Sequence, residues 1–287
     1  MAWCTAKRGQ VWFIFTALLL LLIFSGPVAE SVGAEPLAAF NGQSGMLRIS
    51  GGTAHIPVLK EVAGLVMQAH PGIQIALSGG GSGAGIKQVG EGLVDIGNSG
   101  RKPTDNEIKK YGLVLNCWAY DGVVIVVHPD NPVKALSRAQ LQDIFRGRLT
   151  NWQQVGGADK AIAVFTRDEG SGTRKVFSKK ALMEKEITNK SLVVASNGAM
   201  KAAVSHNPGA IGYVSLGYLD ESVAPVALDG VEPSLANVQN GEYTVVRGLY
   251  SNTRGEARGL SKSFIDFLFS PAGREIISRN GLIPASR

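Results

Sequence analysis

Three times along this chain a strand-like run stops at a loop of glycine, serine and threonine, and a helical pattern begins at once. Met46–Ser50 runs into Gly51-Gly52-Thr53-Ala54, followed by Val58, Leu59, Val62, Leu65 and Val66 at helical spacing. Ile73–Leu77 runs into Ser78-Gly79-Gly80-Gly81-Ser82-Gly83-Ala84-Gly85, followed by a helical stretch from Ile86 to Leu93. Val164-Phe165 leads into a polar loop that ends at Arg174, and Lys175-Val176-Phe177 opens another helix. Strands alternating with helices predict an α/β chain whose sheets are mainly parallel. Functional groups in such folds gather at the carboxyl ends of the strands, so the three loops are expected to converge on one cleft.

The third loop is the richest in chemistry. Thr166-Arg167-Asp168-Glu169-Gly170-Ser171-Gly172-Thr173-Arg174 holds cations, two carboxylates, hydroxyls and two glycines. Gly170 and Gly172 let backbone approach a guest without a Cβ in the way. Ser171 and Thr173 fall where a helix starts, so their hydroxyls join the free first-turn N–H groups and the positive end of the helix dipole. Arg167 adds a planar fork that matches an oxyanion. The loop reads as a cradle for a small tetrahedral anion, although the same residues also suit an ordinary Ser/Thr helix cap.

The first 34 residues differ from the rest. Lys7 and Arg8 form a positive start, Val11–Phe24 is apolar, and Val32-Gly33-Ala34 offers small residues ahead of Glu35. This pattern predicts a secretory signal peptide over 1–34, with a flexible leader over 35–44. Cys4 precedes the apolar run, which excludes a lipid-modified cysteine at the cut. Removal of Lys7, Arg8 and Glu30 takes the formal charge from +6 to +5. A basic surface attracts anions, but no long Lys/Arg run concentrates the charge, and no nucleic-acid partner is expected. The mature chain keeps Cys117 alone, so no internal disulfide is possible, and its apolar neighbours suggest a buried filler.

Further elements follow the same reading. Gly122–His128 is a nearly continuous β-branched run, suited to a strand buried on both faces. Ser137 caps a helix through Leu141, Ile144 and Phe145, and Ser191–Ala195 is a short strand ending in Ser196-Asn197-Gly198-Ala199. Ala210–Val214 and Tyr243–Tyr250 are strand-like, and Phe264–Phe269 is an amphipathic helix. Hydrophobic content of 45% and charged content of 18% fit an ordinary globular protein.

Several chemistries lack their parts. Gly85 is followed by Ile86-Lys87, whereas a nucleotidase phosphate loop needs Gly-Lys-Ser/Thr, and Gly79-x-Gly81-x-x-Ala84 meets the dinucleotide pattern only loosely. His55, His70, His128 and His206 have no metal-ligand spacing, so neither a metal nor another cofactor is expected. Glu169 stands where a nucleophile elbow would need glycine, and Ser171 has no histidine near it in sequence. The chain has the means to hold an anion and lacks the means to transform one.

Ile49-Ser50-Gly51-Gly52-Thr53-Ala54 with Pro57, and Gly81-Ser82-Gly83-Ala84-Gly85-Ile86-Lys87-Gln88, resemble the periplasmic phosphate-binding proteins of ABC uptake systems. So do Asp95-Ile96-Gly97, Arg167–Arg174 and Pro208-Gly209-Ala210-Ile211-Gly212-Tyr213-Val214. The likeness runs from about Gly45 to the end. It implies a two-lobed periplasmic-binding-protein fold of the type II family, each lobe a mainly parallel sheet flanked by helices and the two joined by crossover strands. On that model 45–123 with 245–287 forms lobe I and 124–244 forms lobe II. The resemblance matches Thr53, Ala54, Ser82, Arg167, Ser171, Gly172 and Thr173 to phosphate contacts. Many relatives carry an aspartate where this chain has Gly100. Shorter relatives have Ser-Arg in that corner, so Ser99, Gly100 and Arg101 are carried as contacts by another scheme.

The expectation is therefore a periplasmic, monomeric binding protein, not an enzyme. It captures inorganic phosphate and delivers it to a membrane-embedded ABC permease. The alternatives are a receptor for another tetrahedral oxyanion (sulfate, molybdate or tungstate) and a hydrolase with Ser171 as nucleophile.

Overall fold

The computed structural model describes residues 37–287; the expected signal peptide lies outside the described residues. The main strands are β1 (Gly45–Gly51), β2 (Ile73–Gly80), β3 (Ile96–Ser99), β4 (Leu113–Val127), β5 (Ala163–Arg167), β6 (Leu192–Val194), β7 (Ala210–Ser215) and β8 (Val246–Arg254). They form one continuous sheet in the order β2-β1-β3-β8-β4-β7-β5-β6. The outer pairs β1/β2, β1/β3, β5/β7 and β5/β6 are parallel. The central pairs β3/β8, β8/β4 and β4/β7 are antiparallel. Helices α1 (Ile56–Ala69), α2 (Gly81–Gly90), α3 (Asp105–Tyr111), α4 (Arg138–Phe145), α5 (Gly172–Lys180), α6 (Asn197–Ser205), α7 (Gly259–Phe269) and α8 (Pro271–Arg279) accompany them.

Two large hydrophobic cores divide the sheet between them. One gathers Leu47, Ile49, Val58, Val62, Trp118 and Ala119 with Leu249, Phe264 and Ile277. The other gathers Val123–Val127, Phe145, Trp152, Phe177 and Tyr213 with Tyr243 and Val245. Strand β4 leaves the first core at Ala119 and enters the second at Val123, and the chain returns between Val245 and Leu249. These two crossings bind the lobes together, which is why β4 is fifteen residues long when the β-branched run marks only its second half. The mixed α/β, two-lobed expectation agrees with this architecture, the antiparallel pairing being concentrated at the crossings.

Three local readings change. The leader is anchored from Leu37 onward: Phe40 is fully buried beside Phe267 and His70, and Ser263 donates its hydroxyl to the Ala39 carbonyl at 2.9 Å. The glycine-rich run at 81–85 is the first part of α2 and not a loop. Gly85 tolerates no side chain there, since a Cβ would lie 2.4 Å from the Asn98 carbonyl oxygen and 2.8 Å from Gly51 Cα. Cys117 is half-buried, not a sealed filler.

Helix starts are capped as the side chains dictate. Thr104 and Glu107 form a capping box on α3, Ser137 and Gln140 another on α4, and Ser171 and Ser196 cap α5 and α6.

Candidate functional site

Each of the three loops delivers its residues to one small cavity. Gly52, Thr53 and Ala54 come from the turn after β1, Gly81 and Ser82 from the start of α2, and Gly100 from the end of β3. Arg167 closes β5, and Ser171, Gly172 and Thr173 form the start of α5. Arg247, from the crossing strand β8, completes the wall. The space enclosed is about 10 Å³, no more than one water-sized guest requires. Residues of both lobes share it, and direct hydrogen bonds between the lobes hold them closed around it.

Closure depends on contacts that only small residues permit. The Gly83 N–H donates to the Gly170 carbonyl at 3.0 Å, joining α2 of one lobe to the loop of the other. A Cβ on Gly172 would fall 2.1 Å from Ser82 Oγ, so a side chain there would force the lobes apart. Tyr218 donates its hydroxyl to the Thr53 carbonyl at 2.7 Å. The backbone N–H and side-chain amide of Asn197 donate to Thr53 Oγ1 at 3.2 and 3.0 Å.

The hydroxyls are oriented by what they accept. Thr53 Oγ1 accepts from Asn197, Ser82 Oγ from the Gly100 N–H at 2.9 Å, and Ser171 Oγ from the Arg174 N–H at 3.2 Å. Thr173 Oγ1 accepts from Arg247 Nη1 at 2.9 Å. A hydroxyl that accepts an N–H keeps its own hydrogen for a further partner. All four are thus set to donate, at sites that line the cavity. They are between 1 and 5% exposed, so water competes little for them.

Both arginines are held from behind. Arg167 is 1% exposed and spends Nε on the Val194 carbonyl at 3.0 Å and Nη2 on the Ala195 carbonyl at 2.9 Å. Its backbone N–H donates to Tyr213 Oη at 3.1 Å. Burial draws the Arg167 guanidinium below its ordinary range, and the Asp168 carboxylate 3.8 Å away opposes that. Tyr213, buried against Phe177, is pushed up to about 12 and stays protonated. Arg247 pairs through Nε and Nη2 with Asp121 at 2.8 and 2.7 Å. Burial pushes the Asp121 carboxyl up, while Arg247, the Ser215 hydroxyl and the Leu216 N–H hold it back.

Of the residues expected to contact an anion, eight line this cavity: Thr53, Ala54, Ser82, Gly100, Arg167, Ser171, Gly172 and Thr173. Two do not. Ser99 is fully buried behind the wall and accepts from the Asn252 side-chain amide at 2.9 Å. Arg101 turns away to a two-pronged pair with Glu107, both contacts at 2.7 Å. That guanidinium holds Glu107 down to about 2. The corner is glycine because Arg247 fills it: a Cβ on Gly100 would lie 2.7 Å from Arg247 Nη1.

Sequence reading missed Arg247, Asp121, Asn197 and Tyr218. A lone cation inside the strand-like run Tyr243–Tyr250 was the available signal for Arg247. Ser171 Oγ, offered earlier as a nucleophile, caps α5, and among the described residues no histidine lines the cavity. None of the helices among the described residues is long and apolar enough to cross a membrane.

Comparison with known proteins identifies the family. The model of the PBP superfamily domain matches residues 36–272. The phosphate-binding protein PstS of Bacillus subtilis (strain 168) is 36% identical over 278 residues, 95% of this chain and 92% of that protein. PstS of Borreliella burgdorferi is 27% identical, over 83% of this chain and 89% of its own length. Among solved structures, an ABC transporter substrate-binding protein of Clostridium perfringens with bound phosphate superimposes with a TM-score of 0.79 at 38% identity, over 84% of this chain and all of that one. An ABC-type phosphate transport receptor of Vibrio cholerae gives 0.67 at 35% identity, over 84% of this chain and all of that one. The chain belongs to the PBP superfamily and, within it, to the family of PstS phosphate-binding proteins.

Proposed function

We propose that this protein captures inorganic phosphate between its lobes and hands it to a membrane-embedded ABC permease outside the cytoplasm. The observation that carries the reading is the enclosed set of four hydroxyls, each accepting an N–H, beside two buried arginines. Removing a small anion from water is costly unless donors replace its hydration shell. Here Thr53, Ser82, Ser171 and Thr173 supply hydroxyls, the start of α5 supplies N–H groups and a positive dipole end, and Arg167 and Arg247 supply charge. No metal is needed for such binding, and relatives of this chain are binding proteins and not enzymes.

The lobes divide as 45–123 with 245–287 and 124–244 in this reading, supported by the two separate cores. A guest that bridges them favours the closed form by its contacts with both sides. Closure also changes the outer surface, which gives a permease a way to tell loaded from empty protein. Residues 1–34 serve as a cleaved signal peptide, which places the mature protein in the periplasm, where it acts as a monomer without nucleic acid.

Calorimetric titration with orthophosphate tests the reading. One phosphate per chain is expected, with binding strongly weakened in Arg167→Ala. No heat of binding in folded wild-type protein, or an unchanged affinity in the variant, would overturn it.

A further inference from the structure

Helix α5 carries more positive charge than its role at the cavity needs. Beyond Thr173 it reads Arg174-Lys175-Val176-Phe177-Ser178-Lys179-Lys180. Arg174 is already engaged, with Nη1 on the Arg167 carbonyl at 2.8 Å and a pair with Glu169 at 2.6 Å. None of the three lysines makes an ion pair: among the described residues, lysine ion pairs are made by Lys87, Lys201 and Lys262.

A groove of about 580 Å³ runs between these lysines and the crossing strands. Apart from Tyr120, every ionisable side chain in its wall is a cation, and no carboxylate lines it. Arg101 and Arg247 bring their own partners, Glu107 and Asp121. Lys102, Lys175, Lys179 and Lys180 bring none. Lys180 donates to the Val246 carbonyl at 2.7 Å, and burial together with Lys179 beside it draws its ammonium below the ordinary range. Lys175 and Lys179 also face a second groove of about 850 Å³, where Arg146, Arg148 and Lys185 add three cations. Glu169, paired with Arg174, and Glu184 and Glu186 also line that second groove and offset part of the charge.

Like charges gathered in a groove focus the potential there. A single small anion touching one exposed lysine gains little. A linear polyanion can lie along α5 and meet cations of both grooves at once, releasing a counterion at each. We propose that α5 and its two flanking grooves form a second anion site for a linear phosphate polymer, separated from the cavity by Arg247. It rests on the reading that the cavity takes phosphate, and it would hold a polymeric form of the same nutrient beside the receptor.

The test uses the full mature chain, fluorescently labelled medium-length inorganic polyphosphate, and anisotropy at low and at physiological salt. Excess orthophosphate keeps the cavity filled. Polyphosphate is expected to bind more weakly as salt rises. The double variant Lys175→Glu with Lys179→Glu should lose at least about tenfold in polymer affinity, with calorimetric orthophosphate binding unchanged. Lysine-to-arginine replacement at both positions should retain the polymer. Absence of polymer binding to the wild type would overturn the proposal. So would loss of the polymer in Arg167→Ala with no effect of the lysine pair, or equally tight capture of polyglutamate. Failure of orthophosphate binding alone, with polymer still held through the lysines, would overturn the cavity reading and leave the groove standing.

Discussion

Asp121 and Arg247 are register partners on the antiparallel strands β4 and β8, at the point where the chain passes between its two cores. Neither is more than 6% exposed. The pair joins the crossing strands to the site: Asp121 holds the Ser215 hydroxyl and the Leu216 N–H, and Arg247 reaches Thr173 in the cavity wall.

Breaking that pair from one side should destabilise the fold. Arg247→Met leaves a buried carboxylate without its counter-charge, at a cost of about 3–5 kcal/mol. Urea unfolding monitored by circular dichroism reads the loss. Adding Asp121→Asn should restore much of the stability while phosphate affinity stays low, because Arg247 is still missing from the cavity. Full recovery of affinity would show that Arg247 acts only through Asp121.

Gly172→Ala should separate closure from folding. Its Cβ meets Ser82 Oγ across the lobe boundary, not within either core. The melting temperature of the free protein should change little, whereas phosphate affinity should fall at least about a hundredfold, near the upper end of what one lost hydrogen bond to a charge produces. Small-angle scattering should show the variant remaining open at saturating phosphate.

The two sequence-selected arginines should behave differently. Arg167→Ala removes a desolvated charge-assisted contact, and a loss of about 10- to 150-fold in phosphate affinity is expected. Arg101→Ala should leave that affinity within about twofold, as expected for a side chain spent on Glu107 and absent from the cavity wall. Calorimetry on both variants decides the matter; a large loss for Arg101→Ala would put its guanidinium at the anion after all.

His55 should make stability depend on pH. Its ring is sealed beside Trp118, and burial, with Arg247 nearby, lowers its pKa to about 3. The unfolded chain takes up this proton near the ordinary 6.5. Unfolding therefore binds a proton between those values, and the stability contributed by His55 falls as pH drops through that window and returns as pH rises. His55→Gln should flatten this part of the profile. Urea midpoints from pH 7 to pH 4 measure it, and identical slopes in the two proteins would exclude His55 as the source.

The architecture was legible because its signals are local. Apolar periodicity at Val58, Leu59, Val62 and Val66 marks α1, the β-branched run marks the second half of β4, and glycine with a hydroxyl residue marks the helix starts. The cavity residues from those starts were legible for the same reason, since the chemistry of a helix N-terminus is written within a few residues.

What the sequence could not decide is where long side chains go. Arg101 and Arg247 are both cations near glycines, yet one pairs with Glu107 on the surface of α3 while the other enters the cavity. That choice depends on which carboxylate each meets after β3, β4 and β8 are laid side by side. The placing of Lys102 opposite the lysines of α5 has the same origin, for the crossing strands bring this distant cation to a cluster that is contiguous in the chain. By itself the sequence determined the helix starts, the sheet-forming runs and the hydroxyls; tertiary structure alone decided which charges are neutralised and which remain free, because ion pairs are set by distance in space and not by separation along the chain.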